Sequence, residues 1–138
     1  MTSQLILGSA GGARDVIDLP TTVNDYYEEQ IGVVKVNGTT YTLKRRYQYI
    51  GGFPASGANQ KGFDANLSGT MHNILSLGGM INNGTNWLSL EHPHYASSYV
   101  GTSQINIFYA KNVDLYYIGW GTAQNLSTFT GYIIVEYY

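Results

Sequence analysis

The residues with the most chemical potential in this 138-residue chain are Glu91-His92-Pro93-His94. Two imidazoles one residue apart can share a metal ion when a strand puts both on one face, and a carboxylate beside them can complete the set. Pro93 between them favours a turn, and the spacing matches no zinc pattern. A third ligand would have to come from His72 or an aspartate. The expectation is therefore a polar loop without metal or cofactor. Nucleophilic catalysis finds no better material. There is no cysteine and no Gly-X-Ser-X-Gly, and a base and orienter would have to be assembled around His72 without any local signature. Glycoside hydrolysis needs two placed carboxylates. The adjacent Glu28 and Glu29 point to opposite faces if extended. The chain is read as a protein that is not an enzyme.

Aromatic side chains are the more informative set. Trp87, Tyr95, Tyr99, Tyr109, Tyr116, Tyr117 and Trp120 gather in the second half. Tyr and Trp combine a flat apolar face with a hydrogen-bonding edge, which suits sugar rings, core packing and subunit contacts alike. For a single strand aromatic the packing role is the better expectation, and the pair Tyr116-Tyr117 must split between the two faces. Tyr95 and Tyr99 fall in a loop among small polar residues, where loops carry function. The candidate ligand-binding residues are thus Trp87, His92, His94, Tyr95, Tyr99 and Trp120.

The elements that position them read as strands. Ile31–Val36 is rich in β-branched residues and runs into Asn37-Gly38, a tight-turn pair in which both residues accept positive φ. Thr40 to Ile50 continues as a long strand. Tyr41, Leu43, Arg45, Tyr47 and Tyr49 share one face, and Thr42, Lys44, Arg46 and Gln48 share the other, which is expected to be wet. Residues 51–66 read as a loop. Leu67 to Met80 fits either a helix or a strand, with Gly78-Gly79 favouring strand. Trp87–Leu90, Gln104–Ala110, Val113–Trp120 and Thr130–Tyr138 complete the set, with a tight turn at Lys111-Asn112 and a loop from Glu91 to Thr102. Strands recurring at short intervals between Gly/Asn/Ser clusters argue for an all-β, antiparallel sandwich or barrel, and the expected fold is a jelly-roll-like β-sandwich. Residues 1–25 read as an N-terminal connector, with at most one helical turn across residues 22–30, and 26–138 as the sandwich.

Composition narrows the function. Hydrophobic residues make up 43%, enough for a core, while charged residues are only 12% and the net charge is −2. Solubility rests on Asn, Ser, Thr, Gln and Tyr hydroxyls, as on adhesins and virion proteins. The only basic run, Lys44-Arg45-Arg46, is split by strand alternation, so no nucleic-acid stripe is expected. No apolar stretch reaches the ~18 residues of a membrane span, and no signal peptide is read at the N-terminus. The absence of cysteine suits folding in a reducing compartment. The Asn-X-Ser/Thr triplets at Asn37, Asn66, Asn83 and Asn125 are read as products of composition.

Segment order adds a resemblance. Tyr27-Glu28-Glu29-Gln30-Ile31-Gly32 leads into a hairpin at Asn37-Gly38-Thr39-Thr40-Tyr41. Met71-His72-Asn73-Ile74 follows mid-chain, and Thr130-Gly131-Tyr132 opens the closing run Ile133-Ile134-Val135-Glu136-Tyr137. Over about residues 19–138 this order resembles the C-terminal head domains of bacteriophage fibre and tail-appendage proteins. It departs where those domains carry Trp before the turn and Lys and Pro after the Gly; here Val34 and Thr39-Thr40 stand instead. The resemblance implies a virion component that assembles in the host cytoplasm and acts outside it. It further implies a homotrimer in contact with other virion proteins, but does not by itself say whether the head touches the host. With the β-patterning and the low-charge aromatic surface added, the first reading is attachment to a bacterial cell-surface polysaccharide. Two other readings stay open. One is a purely structural virion module such as a fibre tip, trimerisation unit or head-fibre decoration. The other is a carbohydrate-binding module of a larger enzyme.

Overall fold

A computed structural model describes residues 16–90, 105–121 and 124–138. Among these the chain is all-β. The strands are β1 (Tyr26–Val36), β2 (Thr39–Ile50), β3 (Gln60–Asp64), β4 (Ile74–Asn82), β5 (Trp87–Ser89), β6 (Asn106–Ala110), β7 (Leu115–Gly119) and β8 (Thr130–Tyr137). They form two antiparallel sheets, one of five strands in the order β1-β2-β8-β4-β5 and one of three in the order β3-β7-β6. This arrangement is consistent with a β-sandwich.

Alternation builds the core. From the larger sheet Ile50, Ile81, Ile133, Val135 and Tyr137 turn inward, and from the smaller Phe63, Ile107, Tyr116 and Ile118 meet them in one cluster. Connecting segments add Phe53, Leu67, Leu90, Ile105, Trp120, Leu126 and Phe129. The first hairpin turns at Asn37 and Gly38, with φ of 50° and 81°, as the Asn-Gly pair demands. Gly131 on β8 permits a close approach to β4: a Cβ there would collide with the Met80 backbone oxygen.

Several expectations change. Tyr26–Gln30 is strand, not a helical turn, because it pairs residue for residue with Lys44–Gln48. Gln60–Asp64, inside the expected loop, is β3 and pairs with β7. The ambiguous segment becomes strand only from Ile74; before it, the N–H groups of Thr70 and Met71 close turns on the Leu67 carbonyl. The β6–β7 turn is wider than Lys111-Asn112, with Asp114 N–H reaching back to the Lys111 carbonyl at 3.2 Å.

The largest correction concerns β2. The face expected to be wet is the inner one: Arg46 is 3% exposed and Gln48 is buried beside it. Both are tolerated because their donors find partners. Arg46 donates to four acceptors, and the Gln48 amide nitrogen donates to the Asp64 carbonyl at 2.6 Å, while Gln48 Oε1 is buried without a partner. The tyrosine-bearing face, with Tyr47 and Tyr49, is the outer one.

Candidate functional site

Among the sequence candidates, His92, His94, Tyr95 and Tyr99 lie outside the described residues. Trp87 stands on the edge strand β5, 59% exposed, while its neighbour Leu88 packs on the core. Trp120 lies in the core at 7% exposure, edge-on to Phe53 at 5.5 Å between centroids, and offers no open ring face. The described members of the set are therefore not brought together. His72, the third imidazole, packs against Tyr41 at 4.8 Å, and Tyr138 also packs against Tyr41 at 4.9 Å. Among the described residues no three metal-ligating side chains cluster.

The buried polar cluster lies at Arg46. Its Nε donates to Glu28 Oε1 at 3.0 Å, its Nη1 to the carbonyls of Ala65 and Asn66 at 2.7 and 3.2 Å, and its Nη2 to the Tyr137 hydroxyl at 3.2 Å. The Tyr137 hydroxyl donates in turn to Glu28. The guanidinium stacks on Tyr26 at 3.8 Å. Burial opposes the Arg46 charge, but the electrostatic pull of Tyr137 and Glu28 outweighs it and holds its pKa above the ordinary value. Burial, helped by the bond to Glu28, pushes Tyr137 up to about 12. Arginine and phenol are thus held in their usual forms at neutral pH, which suits structure rather than proton transfer.

Two outer faces remain. On the five-stranded sheet, Tyr27 and Tyr47 lie 6.2 Å apart and Tyr49 meets Tyr132 edge-on at 5.4 Å. Between these pairs Arg45 bridges Glu136 at 2.8 Å and Glu29 at 3.5 Å, and the Tyr47 hydroxyl donates to Glu29 at 2.9 Å. The preceding chain is pinned at this face: the Tyr132 hydroxyl donates to the Pro20 carbonyl at 2.7 Å, and the Asn24 N–H to the Tyr49 carbonyl at 2.9 Å.

The outer face of the three-stranded sheet is smaller and more open. Strand register sets three rows across it: Gln60–Gly119–Asn106, Gly62–Tyr117–Phe108 and Asp64–Leu115–Ala110. In the middle row Phe108 is 50% exposed and stacks on Tyr117, with centroids 5.3 Å apart and planes 30° apart. The far edge of Tyr117 lies over Gly62, where a Cβ would sit 3.3 Å from the ring. The Asn106 amide lies across Gly119, its Oδ1 2.8 Å from the place a Cβ would occupy. The two glycines thus let a stacked aromatic pair and an amide lie side by side on the sheet.

Tyr116 and Tyr117 divide between the faces as alternation requires, with Tyr116 in the core. Phe108 was missed by sequence reasoning. Its signal was available: Ile105, Ile107 and Tyr109 set the inward phase of β6, which leaves a phenylalanine at an outward position. In comparisons with known proteins, the sequence matches no family model, and no curated protein or solved structure matches it.

Proposed function

We propose that the chain is a non-catalytic head domain of a bacteriophage fibre or tail appendage, a jelly-roll-like sandwich that acts as a homotrimer in the virion and attaches to a glycan of the bacterial surface. The observation that carries the binding role is the Phe108–Tyr117 pair. Phe108 lies open on a sheet face, stacked on the half-buried Tyr117, in a chain with only 12% charged residues. An aromatic at an outward strand position gains little for the fold and presents a face that C–H groups of a sugar can cover. Segment order agrees with attachment.

The test is retention of labelled protein on intact cells of a broad strain panel, before and after removal of surface polysaccharide. Retention that disappears with the polysaccharide is expected. Absence of retention on every strain would overturn the attachment role.

A second reading is a structural virion module. It is favoured by the outer face of the five-stranded sheet, where Tyr27, Tyr47, Tyr49 and Tyr132 surround the Arg45 ion pairs like half of an interface. A carbohydrate-binding module of a larger enzyme is favoured only if the chain is a monomer in solution.

A further inference from the structure

We infer that the outer face of the three-stranded sheet is a subsite for a single neutral pyranose, which packs on the exposed ring of Phe108, backed by its stack on Tyr117, and offers hydroxyls to the amides of Asn106 and Gln60. This rests on the glycan-binding reading and adds to it the location and the class of sugar.

Size selects the occupant. The face presents three side chains from each of three strands, several of them glycine or alanine. A stable protein interface uses roughly 20–30 residues a side. The exposed patch is instead a single aromatic pair, flanked on one side by Gly62. Stacking of an apolar sugar face on the negative face of the Phe108 ring supplies attraction without charge.

Polarity selects the chemistry. Among the described residues neither the Asn106 nor the Gln60 side chain has a hydrogen-bond partner within the protein, and the two flank the same row. An amide both donates and accepts, which matches a hydroxyl. Among the described residues at these nine positions the only charged side chain is Asp64, exposed in the third row. With no Lys or Arg among these positions, a uronate or sialate would meet a carboxylate and no counter-charge. The sugar is therefore uncharged.

The experiment titrates the 15N-labelled full chain with methyl glycosides of glucose, galactose, mannose and N-acetylglucosamine, and with methyl glucuronide. At least one neutral glycoside should shift the amides of Gly62, Asn106, Phe108, Tyr117 and Gly119, with little effect of the glucuronide. Phe108→Ala should weaken that binding about tenfold. Gly119→Ala, which displaces the Asn106 amide and leaves the rings in place, should weaken it about threefold. Phe108 is exposed, so its variant keeps the wild-type fold, checked by an unchanged melting temperature. Absence of shifts on this face with every neutral glycoside overturns the inference, as does preferential binding of the glucuronide. Cell retention that persists unchanged in Phe108→Ala overturns the location and leaves the attachment reading standing. Loss of glycoside binding and of cell retention together in Phe108→Ala supports the inference, whereas absence of retention by the wild-type chain overturns the attachment reading itself.

Discussion

Arg46 on β2 and Glu28 on β1 face each other across the first hairpin, with Arg46 Nε 3.0 Å from Glu28 Oε1 on the inner side of the sheet. The neighbouring Arg45 makes its own ion pairs with Glu29 and Glu136 on the outer side. Two adjacent arginines thus do opposite jobs, and strand alternation alone separates them.

This separation predicts unequal losses. Arg46→Met removes the donor to Glu28, two backbone carbonyls and the Tyr137 hydroxyl, so stability should fall by about 3–5 kcal/mol. Arg45→Met breaks solvent-facing pairs and should cost no more than about 1 kcal/mol. Urea denaturation of both variants checks the contrast. Equal losses would mean that the Arg46 cluster is not the anchor of the hairpin.

Asp114 predicts an acid-side effect. Burial opposes its ionisation, yet its Oδ1 accepts from the Tyr109 hydroxyl at 2.6 Å and from the N–H groups of Leu67 and Ser68 at 3.0 and 3.1 Å, and these hold its carboxyl below the usual value. A depressed folded pKa adds stability above the unfolded pKa and loses it as pH falls through the folded one. Asp114→Asn should cost about 1–2 kcal/mol at neutral pH, and the gap to wild type should close below the ordinary carboxylate range. Asparagine tolerates the φ of 56° at this position, so the backbone does not confound the comparison. Melting temperatures at stepped pH are the readout.

Tyr137 predicts the alkaline side. Its pKa, pushed up to about 12 in the fold, lies above the ordinary phenol value. The stability it contributes is complete below about pH 10 and is lost as pH rises toward 12. Tyr137→Phe should be less stable at neutral pH and should lose less between pH 9 and pH 11 than wild type, by chemical denaturation at each pH.

Particular residues show how far the sequence could be read. Asn37-Gly38 and the alternation of β8 were legible because turn chemistry and period depend on local residues. β3 was not: Gln60-Lys61-Gly62-Phe63-Asp64 is short, polar and interrupted by glycine, and becomes a strand only because β7 lies beside it. The inner face of β2 was read as wet because Arg and Gln are rarely buried. Their partners Glu28, Ala65, Asn66 and Asp64 come from other segments, which no local pattern reveals. At the candidate site Tyr117 was visible as one of many tyrosines. Its pairing with Phe108 needed the β6–β7 register.

The outer face of the five-stranded sheet supplies the last prediction. Tyr47, Tyr49, Tyr132 and Ile134 are half-buried there without being covered by the smaller sheet, which packs on the other side. The proposed homotrimer would bury such a surface between copies. Light scattering should then give three times the 15.2 kDa chain mass. Ile134→Asp, a charge placed in the middle of this face beside Gly78 and Tyr47, should return the mass to that of one chain. The neutral-sugar shifts at Phe108 and Tyr117 should survive, because those residues belong to the other sheet. A wild-type monomer that still binds sugar would instead favour the carbohydrate-binding module. A trimer unaffected by Ile134→Asp would place the subunit contacts on another surface of the chain.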